Sequence, residues 1–280
     1  MLDEKVINEK YENCKKLVSK KDFKEARDSL KELISLVEPL YVSPLKKYYS
    51  FNHIIESYYY AFFMKDDSEL NYTFHNINGY YRLLGYVYMQ LERYDDSIVA
   101  YNKALNYNPV DLDTLFQLGE LYKKQGNVRG LKKLTFELYD YCCSRATIAH
   151  FYRNLGYYYL ENKKPQEAMA LYIYSNIFYE TKQAVSELEF LKKSLYLTDE
   201  YEDSLKNNIK GLQKILEDNN IPTGPNPDTI GITYRVGEIE RDNFRYENAF
   251  DCFSMVYDLT LDNEVKKEID KLEIKINKNQ

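Results

Sequence analysis

The sequence predicts an all-α fold, a solenoid of helical hairpins, and three observations carry that prediction. The first is a repeat. Tyr81-x2-Leu84-Gly85-x2-Tyr88 is answered 34 residues later by Leu115-x2-Leu118-Gly119-x2-Tyr122, and a third copy, Tyr152-x2-Leu155-Gly156-x2-Tyr159, follows after a slightly longer gap. A fixed period of this length, with apolar and small residues at helical spacing, marks helix–turn–helix arrays. The second is the scarcity of chain breakers, 10 Gly and 7 Pro in 280 residues, which leaves room for few long loops. The third is a globular balance of 44% hydrophobic and 29% charged residues, and solenoids reach this length one repeat at a time rather than around one core.

Taken in order, residues 1–76 read as an N-terminal helical hairpin plus a long helix, a degenerate repeat. Lys5 to Ser19 supplies the first helix and Asp22-Phe23-x2-Ala26-x3-Leu30 opens the second. Residues 44–64 read as one helix whose Tyr58-Tyr59-Tyr60-Ala61-Phe62-Phe63 is apolar nearly all round, so burial is expected. Residues 66–76 are a polar connection.

Residues 77–218 form the central stack. In 78–111 the first helix carries Tyr81, Leu84, Gly85 and Tyr88, the second carries Ser97, Tyr101 and Ala104, and Pro109 ends it. Gly85 and Ser97 are small because the two helices cross closely there, and the large residues fill the space around them. The second repeat, 112–142, turns at Gln125-Gly126-Asn127 and departs from the pattern with Leu131 and Thr135. The third, 149–180, has Ala168 and Tyr172 in its second helix, with Pro165 early in it, where a missing N–H costs little. Residues 183–197 and 199–218 read as a degenerate helix pair. Residues 219–228, rich in Pro, Gly and Asn, break all periodicity and read as a loop. Residues 229–280 give a final repeat with Gly237, Ala249 and Phe253, Glu240 standing where Tyr is expected, and a polar terminal helix over 264–277 that caps the stack.

These positions resemble the tetratricopeptide repeat, W-x2-L-G-x2-Y followed by A-x3-F and P. Tyr81 replaces the Trp, Ser97 the Ala and Tyr101 the Phe. The resemblance implies a right-handed α-α superhelix whose first helices line a concave peptide groove. The positions it leaves outward are Arg82, Tyr86 and Met89; Phe116, Gln117, Glu120 and Lys123; and His150, Arg153, Asn154 and Tyr157. Candidate peptide-binding residues are therefore Arg82, Tyr86, Gln117, Glu120, His150, Arg153, Asn154 and Tyr157. Arg can clamp a carboxylate through two hydrogen bonds, and amides can pair with backbone. Some relatives hold chaperone tails with a carboxylate clamp; Arg82 keeps that charge but Tyr86 and Asn154 break the pattern, so a chaperone tail is not expected.

Composition narrows function further. A net charge of −6 and a pI near 5.4 lack the clustered Lys/Arg excess of a nucleic-acid binder. The N-terminus lacks a signal peptide's basic start and apolar core. The longest apolar run, 58–64, is far short of the roughly 20 residues that cross a bilayer. A cytoplasmic protein without membrane contact is expected. Cys14, Cys142, Cys143 and Cys252 lack a CxxC spacing and are expected to be reduced. With three His, none three or four residues from another, and no HExxH, phosphate loop or GxSxG elbow, neither catalysis nor a cofactor or metal is expected. The 30 Tyr, against 13 Phe and no Trp, leave two readings open: coding bias, or contact area with a polar tip on a binding surface. The expected function is a non-catalytic protein–protein interaction module that takes an extended peptide or a partner helix. The alternatives are a bacterial peptide-pheromone receptor or regulator, although 1–40 holds no basic recognition helix, and a self-assembling scaffold.

Overall fold

A computed structural model describes residues 4–66, 68–195 and 198–278. Among them are fifteen α-helices and one two-stranded ribbon, so the expected all-α architecture is observed. The chain divides into two compact units, Met1–Gly126 and Asn127–Gln280.

The first unit contains α1 (Glu4–Ser19), α2 (Phe23–Val37), β1 (Tyr48–Tyr49), α3 (Ile54–Met64), β2 (Asn71–Tyr72), α4 (Ile77–Gln90), α5 (Tyr94–Tyr107) and α6 (Leu112–Lys124). Helices α1 and α2, then α2 and α4, α4 and α5, and α5 and α6 pack in succession. Ile7, Leu30, Leu33, Ile77, Tyr80 and Leu84 form its apolar centre.

The second unit contains α7 (Val128–Leu138), α8 (Arg145–Glu161), α9 (Pro165–Phe178), α10 (Lys182–Leu195), α11 (Asp199–Lys206), α12 (Ile209–Asp218), α13 (Pro227–Asp242), α14 (Tyr246–Thr260) and α15 (Asn263–Lys278). Helix α9 packs against α8, α10, α11 and α12 and buries every residue from Ala168 to Ser175. The terminal helix α15 is less polar than expected: Val265, Ile269 and Leu272 close one face of it onto α14.

The repeat pattern has one physical content, a glycine on the first helix facing a ring on the second. A Cβ placed on Gly85 would lie 2.5 Å from the Tyr101 ring; on Gly156, 3.1 Å from Tyr172; on Gly237, 3.1 Å from Phe253. Ser97 tightens the first of these crossings by donating from Oγ to the Gly85 carbonyl at 2.7 Å. Tyr101 is fully buried and its hydroxyl has no hydrogen-bond partner. Replacing Tyr101 with Phe should therefore raise stability by about 1 kcal/mol in urea unfolding, because the unpaired hydroxyl is removed without changing the ring. A loss of stability would show that the hydroxyl is satisfied.

The turns between paired helices share one geometry. Arg93, Lys164 and Arg245 each donate their backbone N–H to the carbonyl five residues back, on Tyr88, Tyr159 and Glu240, at 2.9 Å. The residue just before each, Glu92, Lys163 or Phe244, sits at φ near +60°. This is the Schellman ending of a helix, occupied here by residues other than the usual Gly. The side chains follow the backbone: Arg93 lies over the Tyr88 ring at 5.0 Å and Lys164 over Tyr159 at 5.8 Å. Glu240, the departure from the pattern, meets the same need differently. It is fully buried and takes two hydrogen bonds from Arg245, at 2.6 Å each. That pairing, helped by Asn248, holds its carboxyl below the usual range. A cation that rests on a ring in two hairpins rests on a carboxylate in the third.

Two sequence expectations change. Residues 44–64 are not one helix, and α3 begins only at Ile54. The Glu56 carboxylate accepts from the backbone N–H groups of Asn52 and His53, a capping box that starts the helix there. Upstream, Tyr48 and Tyr49 pair in parallel with Asn71 and Tyr72, inside the stretch expected to be a polar connection. Nor is α3 buried all round, since Phe62 and Met64 are exposed. The helix expected over 199–218 is broken in two, because the Asn208 side chain accepts from the Gly211 N–H and starts α12 afresh.

The segment between α12 and α13 is a strap tied down by tyrosines. Tyr152 donates to the Pro222 carbonyl and Tyr139 to that of Gly224, both at 2.8 Å; Tyr174 donates to Thr223, and Tyr159 to the Asn219 side chain at 3.1 Å. Tyr59, Tyr80, Tyr101 and Tyr152 are among the largest fully buried side chains. All four fill the core, and Tyr152 also has its tip tethered. Cys142 is fully buried against the carbonyls of Leu138 and Thr147, and burial pushes its thiol well above the ordinary value. Among the described residues no helix is long and apolar enough to cross a membrane.

Candidate functional site

In the first unit the candidate positions fall on α4 and α6. Arg82, expected to face a ligand, is engaged within the unit. Its Nη1 donates to both carboxylate oxygens of Asp111, at 2.8 and 2.9 Å, and lies 3.3 Å from Asp113. Asp111 is buried, and Asn52, Asn78 and Thr114 also donate to it. Asn52 reaches Glu56 as well, and Asn108 donates to Glu56 at 2.8 Å. One guanidinium thus serves the enclosed Asp111 directly, and Asn52 links that carboxylate to Glu56. Burial first, and then the charge of Asp111, push the Glu56 carboxyl above the usual range, while hydrogen bonds from Asn52, Asn108 and His53 act the other way. Asp111, at the start of α6, draws the Arg82 guanidinium across the hairpin boundary.

Tyr86 is half-buried with its ring edge against Phe23 at 6.4 Å. Gln117 is half-buried, and Glu120 pairs with Lys123 at 2.7 Å along the α6 surface. Met89 and Phe116, expected to face outward, are buried in the packing.

In the second unit the four candidates lie on α8. His150, Arg153 and Tyr157 occupy one half-buried stripe at helical spacing. Arg153 donates to the Tyr179 carbonyl at 3.1 Å, while Arg145 donates to Phe178 and Ile177 at 2.9 and 2.6 Å, so two arginines receive the last carbonyls of α9. Burial pushes the Arg153 guanidinium down from its ordinary value, and only tyrosines oppose that. Asn154 is corrected from outward-facing to fully buried. Helix α8 is flanked by both α7 and α9, which leaves a narrower open stripe than an isolated hairpin would have. Neither the oxygen nor the nitrogen of its amide has a hydrogen-bond partner.

The polar knot of Asn52, Glu56, Asn78, Asn108 and Asp111 escaped sequence reading, since its members are spread over 60 residues and form no motif. Among the described residues no group of three or more His, Cys, Asp or Glu side chains could hold a metal ion.

Residues 85–126, spanning the latter part of α4 through α6, match the family model of the TPR repeat. Comparison with curated proteins returned no match. Among solved structures, the chain is similar to one described as the functional characterization of Pseudomonas aeruginosa pilF, at 12% sequence identity, covering 97% of this chain and 98% of that one with a TM-score of 0.49.

Proposed function

We propose that this chain, a tetratricopeptide repeat protein, is a non-catalytic cytoplasmic module that holds an extended peptide along α8. Protein–protein interaction is the general work of such repeats, and the α8 stripe is the part of this chain best equipped for it. One observation carries the reading: Arg153, partly desolvated and hydrogen-bonded to a carbonyl, stands on the half-buried α8 stripe with His150 and Tyr157 at helical spacing. A peptide carboxylate supplies a partner for the Arg153 charge. Tyr157, one turn on from Arg153, adds apolar contact.

The test is an array of extended and helix-forming peptides probed with the full chain and with an Arg153→Ala/Tyr157→Ala variant. Peptides bound by the wild type should lose about tenfold or more in affinity, one charged hydrogen bond being worth at least that factor. Equal binding by the two proteins would remove α8 from the account.

A further inference from the structure

Helices α9, α10 and α11 enclose a cavity of about 560 Å³, within the size range of sites for small organic ligands. Its floor is aliphatic, built from Ile173 and Leu188, both buried, with Val185 beside them. Asn176 also lines it, and the Asn176 Oδ1 is buried without any hydrogen-bond partner. A buried acceptor left unpaired is destabilising, and a ligand that brings an N–H donor removes that cost.

Charge decides which donor fits. The wall on α10 and α11 holds two ammonium groups, both already matched: Lys192 pairs with Asp199 and with Glu202 at 2.6 Å, and Lys206 pairs with Glu202 at 2.6 Å. Glu202 is itself buried and pairs with both ammonium groups, so the lysines are matched rather than a free cationic patch. Glu180 and Glu189 are exposed, and among the described residues no cation pairs with either. Three lining carboxylates, Glu180, Glu189 and Glu202, therefore stand around two ammonium groups, and the excess is negative.

We infer that this cavity binds a primary ammonium group on an aliphatic stem, presented either by a small amine or by a lysine side chain of a partner. The stem lies on Ile173, Val185 and Leu188. The ammonium donates to Asn176 Oδ1 and is held electrostatically by Glu180 and Glu189. Arg153 does not line the cavity, so the site is independent of the α8 stripe.

Titration of the full chain with n-hexylammonium, followed by calorimetry and by NMR shifts, tests this directly. Saturable binding is expected, with none for hexanoate or hexanol. Asn176→Leu should weaken it about tenfold, the worth of one charged hydrogen bond. Glu180→Gln/Glu189→Gln, which alters only exposed side chains and should leave the fold intact, should weaken it and flatten its salt dependence. Arg153→Ala should bind as the wild type does. A capped tripeptide with a central lysine separates the two sources: tighter binding than hexylammonium assigns a protein partner, weaker binding a small amine. Absence of saturable binding at millimolar hexylammonium, equal binding of hexanoate, or full affinity in the double glutamine variant would overturn the assignment.

Discussion

Replacing Arg82 with alanine is expected to destabilise the first unit by about 3 kcal/mol, the low end for one-sided removal of a buried ion pair. The low end applies because the Arg82 side chain keeps about a quarter of its exposure, 24% against 3% for Asp111. What the substitution removes is the counter-charge of an enclosed knot in which Glu56 and Asp111 share Asn52 as a common donor. The pH dependence identifies the mechanism. The Glu56 carboxyl is raised in the folded state, so the native protein holds a proton that the unfolded chain releases. The contribution of Glu56 to stability is accordingly greatest below the ordinary carboxylate range and is lost as pH rises from there through the raised value. Without Arg82 the two carboxylates repel unrelieved, and that fall should steepen. Chemical denaturation of wild type and Arg82→Ala at pH 4.5 and 7.5 should show the smaller difference at the lower pH. A pH-independent loss would mean that Arg82 acts through packing of its stem.

The second large effect concerns the glycine seams. Gly85→Ala is expected to cost about 1–3 kcal/mol, since overpacking outweighs the roughly 1 kcal/mol of helix propensity that alanine brings. The new methyl would stand 2.5 Å from the Tyr101 ring, closer than any real contact, and that ring is fully buried with no room to withdraw. Gly156→Ala and Gly237→Ala meet their rings at 3.1 Å, a clash that a shift of a few tenths of an ångström relieves. Both should be near neutral, the propensity gain offsetting the strain. Tyrosine fluorescence in urea, usable because the chain has no Trp, would rank the three. Coupling Gly85→Ala with Tyr101→Leu should give a double variant less destabilised than the sum of the singles. An equal cost at all three glycines would deny that the Gly85 crossing is tighter.

The hairpins were legible because each rests on local information. Helical spacing, a glycine, an aromatic and a turn all lie within one period, and α1, α2, α4, α5, α8, α9, α13 and α14 follow from them. Residues 44–53 were misread for the complementary reason: strand pairing between Tyr48-Tyr49 and Asn71-Tyr72 spans more than 20 residues and overrides a run of helix-compatible aromatics. The candidate site was legible only in position. Outward spacing placed Arg82 and Asn154 at a groove, but whether a side chain is free depends on what packs beside it.

By itself, then, this chain's order of residues determined that helices pair and where they cross, because close crossing requires small against large at a set spacing. Tertiary structure alone decided which charges are occupied. Asp111 captured Arg82, Lys192 and Lys206 closed on Glu202, and Arg245 took the place of a ring partner at Glu240. Electrostatic pairing is set by distance and desolvation in space, and neither quantity is written in the period of a repeat.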